Sequence, residues 1–319
     1  MFLATHGLGR IKMGILCCFL LCFISIANAV SIVFVHIGKT LPPYLEESIA
    51  QARFFNKECP IYLIANNEAL KHAKKNLGVY MISYEDLKKS SQHKKFKKSS
   101  PLNRDFRGGF VFFATERFFV LDDFMKQYQI KDLFHLESDV MLYADLKNLA
   151  PFFKGLYRGM IAATFDNDKR CIPGILYISE SKPLDKLTEF IAETKAPNDM
   201  EYLSKFKDKY HHTYVDYLPI VMPSVGLKSV YSNNYEVLAS VFDAAALGQY
   251  LGGIDPRNPG ASGKGFINES CVFNPANFEF IWENDSEGRR VPYLFYRGEK
   301  CRINNLHIHS KNLKQFLSR

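Results

Sequence analysis

Phe134-His135-Leu136-Glu137-Ser138-Asp139-Val140-Met141-Leu142-Tyr143-Ala144-Asp145-Leu146 is the stretch on which the reading of the chain turns. The apolar run over residues 132–136 stops at two carboxylates spaced i, i+2, and a second short apolar run follows. This is the pattern of a buried strand that breaks off at a polar edge. On an extended backbone, residues two apart project to the same side. Glu137 and Asp139 therefore share one face at the carboxyl end of a core strand. Open α/β sheets place their ligands there, and paired hard oxygen donors suit a divalent cation that also holds phosphate oxygens. The bland alternative is a solvated strand end with two surface acids.

Upstream, strand and helix patterns alternate: a strand over 31–38, a helix over 43–56, a strand over 60–65, a helix over 68–76 and a strand over 78–82. Such alternation indicates a parallel sheet. A helix over 110–127, carrying Arg117, delivers the chain to the central strand. Beyond it the patterns predict a helix over 145–154, strands over 159–164 and 172–178, and helices over 183–194 and 198–206. Asp199 falls in the first turn of the last of these, where helix polarity favours a carboxylate.

Two later stretches carry candidate chemistry. Asp243 begins a small-residue helix that ends at Gly252-Gly253. It reads either as a helix N-cap or as a carboxylate that meets a sugar hydroxyl or a reacting proton. Gln249, six residues on, lies on a different part of that helix. Near the C-terminus, Asn304-Asn305-Leu306-His307-Ile308-His309-Ser310-Lys311 places two imidazoles on one side of an extended segment, an arrangement that ligates metals. The Gly-rich stretch 260–265 fails as a phosphate loop: Asn258 stands where the first Gly is required and Gly265 where Ser or Thr is. An exposed loop is expected there.

With 319 residues, 47% of them hydrophobic, the chain is long enough to bury a large core. Residues 1–29 read as a targeting segment: Arg10 and Lys12, an uncharged apolar run over 13–26, and Ala27-Asn28-Ala29 in small-x-small form. Cleavage after Ala29 leaves 30–319 as an exported protein. Without cleavage the segment is an N-terminal membrane anchor. Cys59, Cys171, Cys271 and Cys301 lie outside that segment, and proximity in sequence suggests a Cys271–Cys301 disulfide. Asn268 and Asn284 stand in N-glycosylation patterns. The formal charge is +8, of which Arg10 and Lys12 contribute two, leaving +6 for 30–319. Lys88, Lys89, Lys94, Lys95, Lys97 and Lys98 form a basic run. It reads as a solvated flexible loop or as a surface for an anionic acceptor or membrane. It lacks the interleaved aromatics of single-strand nucleic-acid binders, so nucleic acid is not an expected partner.

An acid-x-Asp triplet that closes a hydrophobic strand, follows an Arg-containing helix and precedes a Leu-Tyr-rich run is similar to the DxD element of nucleotide-sugar-dependent glycosyltransferases of the GT-A fold. The resemblance runs in pieces over residues 30–313. It implies an α/β fold with a GT-A-like, Rossmann-type mixed sheet flanked by helices. It also implies transfer of a sugar, of hexosyl type, from a nucleoside diphosphate donor, a UDP-sugar being favoured, to a glycan, protein or lipid acceptor. By the same likeness Mn²⁺ or Mg²⁺ sits on Asp139, with Glu137 assisting and either His309 or His307 completing the set. Lys311 then touches the diphosphate, Arg117 adds positive charge, and His36 and Gly38 lie near base and ribose. Gln249 borders the pocket, and Asp243 orients the sugar or accepts the acceptor's proton. A non-catalytic carbohydrate-binding protein on the same scaffold is the alternative. Glycoside hydrolysis fits poorly, because two carboxylates adjacent on one strand do not flank a bond.

Overall fold

In β1 the side chains alternate between two buried faces, Ile32 and Phe34 toward one and Val33 toward the other, as a strand covered by helices on both sides requires. A computed structural model describes residues 30–74, 77–258 and 263–319. Its strands are β1 (Ser31–His36), β2 (Ile61–Ala65), β3 (Tyr80–Ser83), β4 (Leu133–Leu136), β5 (Val140–Leu142), β6 (Ile161–Asn167), β7 (Arg170–Ile178), β8 (Val215–Tyr217), β9 (Ser240–Val241), β10 (Glu279–Asn284), β11 (Arg290–Tyr296), β12 (Glu299–Ile303) and β13 (Asn305–His307). Its α-helices are α1 (Leu45–Phe55), α2 (Asn67–Leu70), α3 (Ser91–Ser99), α4 (Phe110–Tyr128), α5 (Leu146–Leu156), α6 (Ser181–Glu193), α7 (Asp199–Lys209), α8 (Tyr235–Leu238) and α9 (Ala246–Gly252).

Seven strands form the main sheet in the order β3-β2-β1-β4-β7-β6-β8. β1 to β4 pair in parallel, β6 pairs in parallel with β8, and β7 runs antiparallel to both its neighbours, β4 and β6. The sheet is thus mixed, as the GT-A likeness implies, and not the purely parallel one that strand-helix alternation indicates. Between β1 and β4 the strand order reverses its direction of growth. That topological switch point is where open sheets form a crevice at the strands' carboxyl ends. A four-stranded sheet, β10-β11-β12-β9, and the β13-β5 pair complete the fold.

The long helix α4 is buried on every side from Thr115 to Met125, which marks it as an internal element. Gly109 starts it at φ +86°, where an added Cβ would meet the Phe113 ring at 2.9 Å, so only glycine makes this turn. Two sequence expectations need correction here. The helix expected over 68–76 ends as α2 at Leu70. The lysine run is no flexible loop: Ser90 caps α3 by accepting from the His93 amide at 3.2 Å, and the helix buries His93 and Phe96.

That burial creates a charged cluster beneath α3. His93 Nδ1 lies 2.6 Å from Asp123 and Nε2 2.9 Å from Glu116, with the Tyr84 hydroxyl donating to Glu116 and Lys97 pairing with it at 3.2 Å. Burial disfavours the imidazolium, but the two carboxylates outweigh it and raise the His93 pKa. A raised folded pKa stabilises fully below the unfolded value near 6.5, and the stabilisation is lost as pH rises through the folded value. Urea unfolding at pH 6 and pH 9 should therefore show a loss of stability at the higher pH that is smaller in His93→Gln. Equal slopes in the two proteins would mean that His93 is neutral in the fold.

The expected Cys271–Cys301 disulfide is absent: Cys59, Cys171, Cys271 and Cys301 are all free thiols. Cys301 lies in β12 and Cys271 in the loop before β10. Burial pushes both thiols up to about 12. The segment read as a targeting sequence, 1–29, and residues 259–262, which include the first half of the Gly-rich stretch, lie outside the described residues. Among the described residues no helix is long and apolar enough to cross a membrane.

Candidate active site

Asp139 follows β4 in the tight turn to β5, where the Val140 amide donates to the Glu137 carbonyl at 3.1 Å. The pairing of β13 with β5 then decides which C-terminal residues arrive there. His307 is registered with Val140 and Leu306 with Met141, and the Ile308 amide donates to the Asp139 carbonyl at 2.9 Å. His307 and His309 stand on one side of this segment, their rings 4.3 Å apart and nearly perpendicular. Asp139, His307 and His309 offer ligand atoms that all lie within 4.8 Å of one another. Lys311, at φ +64°, folds back so that its ammonium donates to the Asp139 carboxylate.

Around this set lies a buried ladder of charge. His307 Nε2 is 3.2 Å from Asp139 and 3.0 Å from Glu137. Glu137 accepts from Arg117 of α4, and the same guanidinium donates to Asp199 at 2.6 Å in the first turn of α7. Burial alone would raise the Glu137 and Asp139 pKa values, but Arg117 at the first and Lys311 at the second, with His307 at both, hold them well below the carboxylate range. Burial also works against both imidazolium ions. At His307 the Asp139 and Glu137 carboxylates win and lift the pKa to about 10. At His309 burial, reinforced by a charged His307, lowers it to about 3. His309 is thus neutral and keeps a lone pair for a metal.

Two close approaches fix His307. A Cβ at Gly174 of β7 would lie 2.6 Å from His307 Nδ1, and one at Gly248 of α9 would lie 2.1 Å from the His307 carbonyl oxygen. Gly174→Ala should push the His307 ring out of place. Overpacking of this kind costs roughly 1–3 kcal/mol, and Mn²⁺ affinity should fall by about 10–100-fold with it, measurable by titration calorimetry. Unchanged affinity would remove His307 from the metal set.

No family model matches the chain, and no curated protein matches it. Solved structures do resemble it. Mouse xyloside xylosyltransferase 1 is 8% identical, with 60% of this chain and 85% of that one covered, at a TM-score of 0.40. The galactosyltransferase LgtC, solved with donor and acceptor sugar analogs, is 16% identical, with 66% of this chain and 79% of that one covered, at 0.39. A cytidylyltransferase from Leptospira borgpetersenii is 14% identical, with 60% and 75% covered, also at 0.39. Likeness at this level is of outline and carries no argument about chemistry, which rests on the residues themselves.

Those residues differ from the sequence expectations in several ways. Glu137 shares His307 Nε2 with Asp139 and is bound to Arg117; it lies outside the cluster of Asp139, His307 and His309. Arg117, a candidate partner for phosphate or for the carboxylates, is buried with both terminal nitrogens on carboxylates, so it positions Glu137. Asp243, the candidate for catalysis, is fully buried. Its oxygens accept from the backbone amides of Leu247 at 3.0 Å, Gly248 at 2.9 Å and His307 at 2.9 Å. It therefore fastens α9 to β13, close to the N-cap alternative, although α9 itself begins at Ala246. Gln249 reaches His309, its amide 2.7 Å from Nδ1. With that amide turned over, Gln249 Oε1, buried and otherwise without a partner, accepts the Nδ1–H and leaves Nε2 for a metal. His36 and Gly38, expected near base and ribose, lie at and just past the end of β1, outside the metal cluster: the Gly38 amide donates to Asn66 Oδ1 at 2.8 Å, and His36 is registered with Ala65 of β2.

Sequence reasoning did not single out Gly174, Tyr44, Asp255 or Arg257. The Asp255 carboxylate binds Arg257 at 2.7 Å, and Lys311 lies 5.6 Å from the Tyr44 ring. Only Arg257, in Asp255-Pro256-Arg257, carried a signal, a cation in a turn after a Gly-Gly helix end.

Proposed function

We propose that this chain is a glycosyltransferase of GT-A type that moves a sugar from a nucleoside diphosphate donor, a UDP-hexose being favoured, to a glycan, protein or lipid acceptor. One observation carries the reading: Asp139, His307, His309 and Lys311 converge beside the switch point between β1 and β4. A carboxylate and two imidazoles fit a divalent cation that displaces the His307 proton, and the imidazoles favour Mn²⁺ over Mg²⁺, which prefers oxygen donors. When bound, the ion supplies charge neutralisation for the leaving diphosphate.

The chain's own residues set up that chemistry. Lys311, released from Asp139, offers a mobile ammonium for a phosphate oxygen, and Arg257 offers a second cation nearby. Glu137 orients His307, Gln249 orients His309, and the Arg117–Asp199 pair keeps Glu137 ionised and fixed. Asp243 holds the segment that bears both histidines. Export or anchoring through residues 1–29 belongs to the same reading, and it requires a compartment that contains the donor.

Thermal unfolding with a panel of nucleoside diphosphates and nucleotide sugars, with and without Mn²⁺, tests the proposal. A ligand that binds only the folded chain raises its stability by mass action. One nucleotide class should stabilise in a Mn²⁺-dependent way. Stabilisation by free sugars alone, with no response to any nucleotide, would favour the non-catalytic carbohydrate-binding alternative.

A further inference from the structure

We infer that the basic surface made by α3 and the loop after it docks on an anionic lipid bilayer. The inference is independent of the transfer reaction. Residues 88–107 contain eight basic side chains and a single acid, Asp105, a net +7, whereas residues 30–319 as a whole carry +6. The basic character of the protein is therefore confined to one twenty-residue segment, and the remainder is close to neutral.

The fold presents that charge outward. Burial of His93 and Phe96 fixes the rotation of α3, so that Lys94, Lys95 and Lys98 are exposed. The helix contains no acid, and among the described residues Lys88, Lys94, Lys95 and Lys98 make no ion pair. Lys94 and Lys98 stand i, i+4, where like charges repel. Arg104 donates to the Lys97 carbonyl and stacks 3.8 Å from the Phe112 ring, itself stacked on Phe96. These contacts bind the following loop to the end of α3.

That loop adds apolar surface to the charge. Phe106 and Phe110, 50% and 53% exposed, sit on either side of the Gly108-Gly109 turn between Arg104 and the start of α4. Cations alone would suit any polyanion. Exposed aromatic rings among them match the headgroup region of a bilayer, which takes rings and charges together. Arg107, on the same loop, reaches the Arg257 carbonyl at 2.9 Å and Asn258 at 2.6 Å. Docking would therefore hold the Asp139 cleft at the lipid surface.

Co-sedimentation of the full chain with phosphatidylcholine vesicles, with and without phosphatidylglycerol, tests this. Any lipid binding through residues 1–29 persists in every variant, so the comparison isolates the α3 surface. Phosphatidylglycerol should add to binding, and the added part should weaken with salt. Replacing Lys94, Lys95 and Lys98 together by Gln should weaken it roughly 100-fold, and Phe106→Ser with Phe110→Ser at least about tenfold. All five positions are exposed, and unchanged thermal unfolding confirms the fold of each variant. Equal binding to both vesicle types, or no effect of the lysine substitutions, would overturn the inference. So would binding of a soluble polyanion as tight as that of vesicles and indifferent to the Phe substitutions, which would assign the surface to an acidic macromolecule.

Discussion

Asp139→Asn is expected to abolish Mn²⁺-dependent binding of a nucleoside diphosphate and to lower sugar transfer by on the order of 10²–10³-fold, with the fold retained. The substitution keeps the size of the side chain and removes its charge. Asp139 is the one carboxylate in the clustered set with His307 and His309, and it is the group that Lys311 leaves when a phosphate oxygen takes its ammonium. Two imidazoles without a carboxylate form a weak site for a hard cation. Far-UV circular dichroism checks the fold, calorimetry the binding, and transfer of a labelled sugar the turnover. A variant that still bound nucleotide only with Mn²⁺ would place the ion elsewhere.

Arg117→Met should destabilise the fold by about 3–5 kcal/mol, the cost of removing one partner from a buried ion pair. The guanidinium is almost fully buried and lies between Glu137 and Asp199. Its loss leaves Asp199 without its cation and Glu137 with His307 alone. Arg117→Lys recovers only part of the loss, because a single ammonium does not span both acids as the planar fork does. The unfolding midpoint in urea measures the effect, and Mn²⁺ affinity should fall by about 10–100-fold as His307 loses its support from Glu137. A midpoint equal to that of the unsubstituted protein would mean that the ladder does not support the fold.

Much of this site is readable locally. The strand that ends in Glu137-Ser138-Asp139, the Arg117 helix before it and the paired histidines each follow from a few consecutive residues and the period of a strand or helix. The sorting of those residues into roles is not local. Sequence spacing leaves His307 and His309 as alternatives, whereas the β13–β5 register, formed across more than 160 residues, brings both to Asp139. Glu137 looks like a ligand from its spacing and becomes a support for His307 only because α4 places Arg117 against it. Gly174 has no sequence signal, since what requires a glycine there is a ring from the far end of the chain. The lysine run hides its helix because only His93 and Phe96, three apart, mark a buried face among charged neighbours. The Cys271–Cys301 pairing rested on proximity in sequence, which the loop before β10 and the core of β12 do not share in space.

The most direct measurement is Mn²⁺ uptake followed by electron paramagnetic resonance in the presence of UDP. Protein added to a Mn²⁺ solution should quench the free-ion signal by one ion per chain, and neither Asp139→Asn nor His309→Ala should do so. Folded protein that leaves the free-ion signal untouched, or the two variants quenching it as fully as the unsubstituted chain, would contradict a cation site at Asp139, His307 and His309.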